Sequence, residues 1–236
     1  MLVLGLETAT IQAGCAIGGH EGVLAMAHSA KGKRHAENLA PAIEFICRQA
    51  SVELSEISVV AVDRGPGLFT GLRVGIATAK ALAHALSLPM IGVPSLDLLA
   101  FPVRYTSRLI VAALDARRGE LYFAFYRQVP GGMQRIGDHR IGSPDDLASE
   151  LLASGEEILL VGDGAHRYHE AFDGLAKVEL ADNGFSHPSA ASLVQLAHAQ
   201  ALREQFQRAA DVEPIYLRKP DAEINWTTRL GTPGTQ

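Results

Sequence analysis

Residues 57–62 read Ile-Ser-Val-Val-Ala-Val, a β-branched run with almost nothing polar in it. Such a run suits a strand buried on both faces, which needs a layer of structure on either side. The flanking segments supply those layers. Upstream, Leu39, Ala42, Ile43, Ile46, Cys47 and Ala50 recur at helical spacing, which predicts a helix over 36–50 with Pro41 in its first turns. Downstream, a glycine-rich loop leads into a second helix that runs to about Ser87 and is stopped by Pro89. Ahead of both helices, 2–6, 13–18 and 22–28 read as three closely spaced strands of an antiparallel meander, hinged at Gly18 to Gly22. Met90 to Val93 make a short strand, and Ser95 is placed to cap a short helix.

The second half repeats the plan. Strands are predicted over 108–114, 120–127 and 133–141, with turns at Arg117-Arg118-Gly119 and Pro130-Gly131-Gly132. A helix follows Ser143-Pro144, with Ser as cap and Pro at the first position. Then come a buried strand at 158–162, a helix near 165–172, a short strand at 177–180 and a helix from Ser189 to about Gln207. The order β-β-β-α-β-α in tandem predicts an α/β protein of two related lobes, 1–103 and 104–220, although the halves share no visible self-similarity. The 189–207 helix is expected to pack back on the first lobe, and the polar tail 221–236 to be loose.

A hydrophobic share of 47% is ample for a real core without staples. Two cysteines, Cys15 and Cys47, are too few for a disulfide framework, and both fall on apolar faces, which points to core positions in a reducing compartment. No apolar run approaches the ~20 residues of a membrane span. The opening MLVLGLETAT has no basic region and meets Glu7 early, so it reads as a strand rather than a signal peptide, and a cytoplasmic location is expected. The net charge of −5 gives no overall nucleic-acid footprint. Lys31, Lys33, Arg34 and His35 form a small local basic patch, read by default as a solvated loop.

Gly65 to Gly75, Gly-Pro-Gly-Leu-Phe-Thr-Gly-Leu-Arg-Val-Gly, sits where a phosphate cradle would, between a strand and a helix. The Walker pattern fails because Leu72 follows Gly71, and the dinucleotide pattern fails because Thr70 stands at its sixth place. A tight turn with Thr70 as helix cap is the plain alternative. His166, His169 and Glu170 do not match a zinc-protease spacing and read as surface residues. Gly162-Asp163-Gly164 reads as a strand-to-helix turn capped by Asp163.

Seven segments resemble the TsaB (YeaZ) family, in family order over nearly the whole chain. They are LGLETAT (4–10), RHAENLAPAIEFI (34–46), VDRGPGLFTGLRVGIATAKALAHAL (62–86), GVPSLDLLA (92–100), ALDARRGELYFAFY (113–126), GDGAHRY (162–168) and PIYLRKP (214–220). Leu68 stands where that family usually has Ser, and Glu7 where it often has Asp. The resemblance implies an actin-like, sugar-kinase-like fold of two ribonuclease-H-like lobes with mixed sheets. It also implies work on N6-threonylcarbamoyladenosine, the modified adenosine beside the anticodon. A synthase makes threonylcarbamoyl-adenylate, the metal-bearing paralogue TsaD transfers the group to tRNA, TsaB binds TsaD, and the ATPase TsaE joins them. TsaD-type proteins hold metal with a His-x-x-x-His pair, whereas the comparable stretch from His35 to Leu39 has one histidine.

The role expected from the resemblance is therefore a non-catalytic partner of TsaD, with no catalytic residue, metal or intrinsic cofactor assigned. A stand-alone actin-fold phosphotransferase and a metalloprotease are the competing readings. The first two helices are the expected docking face, which makes Glu37, Phe45, Gly67, Phe69, Arg73, Ala77 and Ala81 the candidate interface residues. Thr8 and Thr10 are candidate nucleotide contacts, with ATP or ADP expected only at the partner interface. Contact with tRNA is expected through the complex, and self-association of the isolated chain is a further candidate. On a helical wheel of 73–87, Arg73, Lys80, His84 and Ser87 gather in a polar stripe. Apart from Thr78, the remaining arc, roughly 240° wide, is small or apolar, more than the ~100° that one sheet requires. Gly75, Ala79, Ala81 and Ala85 are expected to admit a second helix.

Overall fold

The computed structural model describes residues 1–30 and 35–218, with side chains in the second stretch from Glu37 onward. Lys31, Lys33 and Arg34 of the basic patch, the side chain of its His35, and the tail from Asp221 lie outside what is described. Each half of the chain forms a five-stranded mixed sheet. The first contains β1 (Leu2–Glu7), β2 (Ala13–Gly19), β3 (Gly22–Ser29), β4 (Ile57–Asp63) and β5 (Met90–Val93), in the order β3-β2-β1-β4-β5. The second contains β6 (Leu109–Arg117), β7 (Glu120–Val129), β8 (Gly132–Gly142), β9 (Ile158–Val161) and β10 (Val178–Leu180), in the order β10-β9-β6-β7-β8. Read from its first strand, each sheet has the same topology: an antiparallel meander on one side and parallel strands on the other.

The helices are α1 (His35–Ala50), α2 (Phe69–Leu86), α3 (Ser95–Ala100), α4 (Pro144–Ser154), α5 (Asp163–Arg167) and α6 (Ala190–Ala201). Alternation along the parallel strands sorts the core by face. Leu4, Leu6, Val60 and Val62 point to α1 and α2, against Leu39, Ile43, Ile46, Ile76 and Ala79. Val3, Val59 and Ala61 point the other way, against Leu193, Val194 and Ala197 of α6. The last helix of the second half therefore covers the first sheet. In α3, Leu98 joins that same cluster while Leu96 and Leu99 pack on the second sheet, so α3 is shared between the lobes. The far face of the second sheet is closed by Leu147, Leu151 and Ala165 of α4 and α5.

Four local expectations are corrected by tertiary contacts. Thr70 does not cap α2: the cap position is Leu68, and Thr70 lies inside the first turn. Ser95 does not cap α3, because its hydroxyl donates 2.6 Å to Asp63 Oδ1 and Pro94 holds the cap position. Gly162, not Asp163, precedes α5, which is five residues long and gives way to a 3-10 turn at His169–Ala171. The helix expected to reach Gln207 ends at Ala201, and the chain then crosses to the first sheet, where Gln207 and Met90 exchange backbone hydrogen bonds of 2.8 and 3.1 Å. Ser143 caps α4 as read from sequence, its Oγ accepting from Asp146 N at 3.1 Å.

Candidate functional site

In open α/β sheets, ligands bind beyond the carboxyl ends of the strands. Here the ends of β1, β4, β6 and β9 converge between the lobes, and the space they leave is filled. The cavity lined by Ala9, Thr10, Gly67, Asp115, Arg117 and Asp163 has a volume of about 10 Å3. That is no more than a single water requires. The glycine-rich loop closes it from the first lobe. A Cβ on Gly67 would stand 2.3 Å from Ala9 O, so only glycine permits this approach, and Leu68 N donates 2.7 Å to the same carbonyl. Gly65 N is taken by Asp63 Oδ1 at 2.8 Å. Two of the loop amides, Gly65 N and Leu68 N, are thus spent within the protein rather than turned toward an anion.

Thr8 and Thr10 belong to this closed region. Thr8 is fully buried and donates 2.8 Å to Gly71 O, while Thr10 Oγ1 accepts from Gln12 N at 3.2 Å in a local turn. Neither hydroxyl faces an open pocket. From the second lobe, Asp163 Oδ1 accepts from Asp115 N at 3.0 Å, and Arg117 and Arg167 pair with Asp115 Oδ2 at 3.2 and 3.4 Å.

Two carboxyls lie beneath the loop. Glu7 and Asp63 follow the paired residues Leu6 and Val62 on adjacent parallel strands, so both project to the same face. Glu7 Oε1 accepts from Ala9 N at 2.8 Å, but Glu7 Oε2 and Asp63 Oδ2 are buried without a hydrogen-bond partner. Burial, then the neighbouring Asp63 charge, raises the Glu7 carboxyl well above the usual carboxylate range against the pull of Ala9 N–H. Burial pushes Asp63 up to about 7, opposed by the hydrogen bonds from Ser95 and Gly65. Among the described residues, no group of three or more His, Cys, Asp and Glu side chains is placed to hold a metal ion.

The other candidates sit on an exposed face formed by α1 and α2. Leu39, Ile43 and Ile46 are buried, with Ala42, Cys47 and Ala50 half-buried, while Glu37 and Phe45 point outward and Phe45 is 46% exposed. Glu44 and Arg48 pair at 2.9 Å on the surface. A groove of about 550 Å3 runs between the helices, lined by Ile43, Cys47, Val52, Leu54, Thr78 and Leu82. Phe45 lies on a separate flank of α1. On α2, Arg73, Ala77 and Ala81 are exposed at a spacing of four, which aligns them in one stripe. Gly75 and Ala79, expected on a helix-facing side, instead face the sheet. A Cβ on Gly75 would come within 2.3 Å of Thr8 Oγ1, and Ala79 is fully buried in the core.

Sequence reasoning named Phe69 and Arg73 for this face but missed Tyr216, which joins them. Phe69, 38% exposed, packs at 5.3 Å ring to ring with Tyr216. The Arg73 guanidinium lies 3.7 Å over the Phe69 ring, and its Nε donates to Tyr216 Oη at 3.4 Å. Tyr216 was visible as part of PIYLRKP, but nothing in that motif says which surface it joins.

Comparison with known proteins fits this geometry. The family described as TsaD, tRNA N6-adenosine threonylcarbamoyltransferase, matches residues 26–226. The TsaB protein of Haemophilus influenzae, a tRNA threonylcarbamoyladenosine biosynthesis protein, is 30% identical over 201 residues, covering 82% of this chain and 83% of that one. The TsaB protein of Escherichia coli is 28% identical, covering 92% and 95%. An uncharacterised protein of Mycobacterium leprae is 37% identical over 94% of this chain, which spans 56% of that relative's length. Among solved structures, YeaZ from Pseudomonas aeruginosa superposes with a TM-score of 0.80 at 28% identity, covering 92% of this chain and 99% of that one. The ROK hexokinase of Thermus thermophilus, at a TM-score of 0.50, 14% identity and coverages of 87% and 99%, shares the fold.

Proposed function

The chain belongs to the TsaB (YeaZ) family, whose members take part in tRNA threonylcarbamoyladenosine biosynthesis, and we propose that it serves there as a non-catalytic partner that binds and activates a TsaD-type transferase. The observation that carries this reading is the closed crevice. The lobes meet over about 10 Å3 of space, with Gly65 N, Leu68 N and both threonine hydroxyls already committed within the protein. A site with no room for a substrate cannot position one, and positioning is where catalysis begins.

The α1–α2 face supplies what a partner needs. Phe45, and Phe69 stacked with Arg73 and Tyr216, offer exposed aromatic and arginine anchors of the kind that dominate interface energetics. The small side chains of Ala77 and Ala81 leave room for a partner helix to approach closely. In this reading ATP or ADP binds only where the partner completes a site, TsaE joins the assembly, tRNA is modified within it, and the work is cytoplasmic.

The test is reconstitution. Purified TsaD, TsaE, tRNA and threonylcarbamoyl-adenylate should yield modified tRNA only when this chain is added. Turnover of ATP or of the adenylate by the chain alone, lost in Glu7→Ala, would overturn the reading.

A further inference from the structure

The lobes also meet at the opposite ends of their sheets, beyond the β2–β3 and β7–β8 turns, and there the crevice is open. This groove has a volume of about 1120 Å3. We propose that it binds an unpaired segment of RNA directly, the proposal resting on the reading that this chain works on tRNA.

The lining carries the chemistry. Arg104, Arg135 and Arg203 face the groove together with His20 and His198. Asp97 is the one acid among its described lining residues, and it is already engaged by Tyr126 Oη at 2.7 Å and Arg135 Nη1 at 3.3 Å. On a chain of net charge −5, this is a local cationic surface. At its rim Tyr105 is 75% exposed, and its ring is held in place by the Arg104 guanidinium, which lies 4.3 Å from the ring centre and donates 2.7 Å to Tyr105 Oη. The opposite face of that ring is a stacking platform.

Gln128, Gln195, Gln200 and Gln205 also line the groove, the first, second and last exposed and Gln200 half-buried. Each amide brings both donors and an acceptor, which suits the edges of bases rather than phosphates. Arginines for phosphate, an exposed aromatic for stacking and side-chain amides for base edges are the means by which proteins hold single-stranded RNA. The volume has room for a few nucleotides. A mononucleotide would leave most of this lining unused.

The test is fluorescence anisotropy of the full chain with a labelled, unstructured RNA oligonucleotide. We expect a Kd in the range of about 10⁻⁴–10⁻⁶ M at physiological salt. Tyr105→Ala should weaken binding roughly 5- to 100-fold, the loss of one stacked base. Arg203→Ala should lower the slope of log affinity against log salt by about 0.7, one phosphate contact. Arg140→Ala, at a surface pair with Glu150 outside the groove, should change neither. Both test side chains are exposed, and melting curves unchanged from the parent protein establish that the variants fold. No binding at millimolar protein, binding indifferent to Tyr105→Ala and Arg203→Ala, or displacement of the RNA by an equal concentration of ATP would each overturn the proposal. Reconstitution of the transferase is scored separately: activation without RNA binding defeats the groove alone, and RNA binding without activation defeats the partner reading alone.

Discussion

Phe45 and Asp63 show how differently single residues disclose themselves. Phe45 is an aromatic on the outer flank of α1, and its 46% exposure means the fold does not need its ring. Phe45→Ala should cost about 1–3 kcal/mol of binding to a TsaD-type partner and leave the melting temperature nearly unchanged. Calorimetry with both proteins checks this; unchanged affinity with a large fall in melting temperature would make Phe45 a core residue. Asp63 is buried with its Oδ2 unpartnered, beside Glu7. Its carboxyl is raised from an ordinary 3.8 to about 7, so between those values the folded state holds more protons than the unfolded chain. Stability then falls as pH rises through that window and levels off above it. Asp63→Asn keeps an acceptor for Ser95 and Gly65 and replaces the bare oxygen with a donor. Melting at pH 5 and pH 8 should show a shallower fall for the variant and a higher melting temperature at pH 8; an unchanged slope would mean Asp63 does not carry it. Phe45 was legible because it falls outside the apolar spacing over 36–50, and exposure on a helix follows position. The state of Asp63 was not, because it depends on a neighbour 56 positions away in the chain.

At the scale of elements, α2 is where sequence reading was half right. Its breadth of small residues was plain, but periodicity alone could not say which of them met the sheet. Gly75 lies over Thr8, so a methyl there overpacks the contact. Gly75→Ala should cost about 1–3 kcal/mol from overpacking, partly offset by alanine's helix propensity of about 1 kcal/mol. Combining it with Thr8→Ala removes the clashing oxygen, so urea melts of the four proteins should give a coupling of about 0.5–3 kcal/mol in favour of the double variant. Simple additivity would mean the helix shifts freely. Ala81 is exposed, and Ala81→Trp should leave stability within about 0.5 kcal/mol of the parent. The same change should weaken partner binding at least tenfold, about 1.4 kcal/mol, by holding a partner helix away. Retained binding would place the interface elsewhere on the molecule.

At the scale of the whole molecule, the boundary near residue 103 does not mark an independent unit, because α6 from the second half covers Val3, Val59 and Ala61 of the first sheet. A fragment of residues 1–103 should therefore melt without a cooperative transition and bind hydrophobic dyes, whereas the whole chain melts cooperatively; a cooperative fragment would show that α6 is dispensable cover. The kinds of element and their order follow from local patterns. The β-branched run at 57–62, the helical spacing over 36–50 and the Ser143-Pro144 cap are local patterns, and a local pattern acts through the backbone of its own segment. That the crevice narrows at the strand ends and widens at its opposite end follows from tertiary packing. That packing alone seated Tyr216 against Arg73, 143 residues earlier, and set Thr8 beneath Gly75 instead of facing a nucleotide. The reason is physical: apolar periodicity records which face of an element is covered, but not by what, and the gap between two lobes is set by how their loops pack against each other.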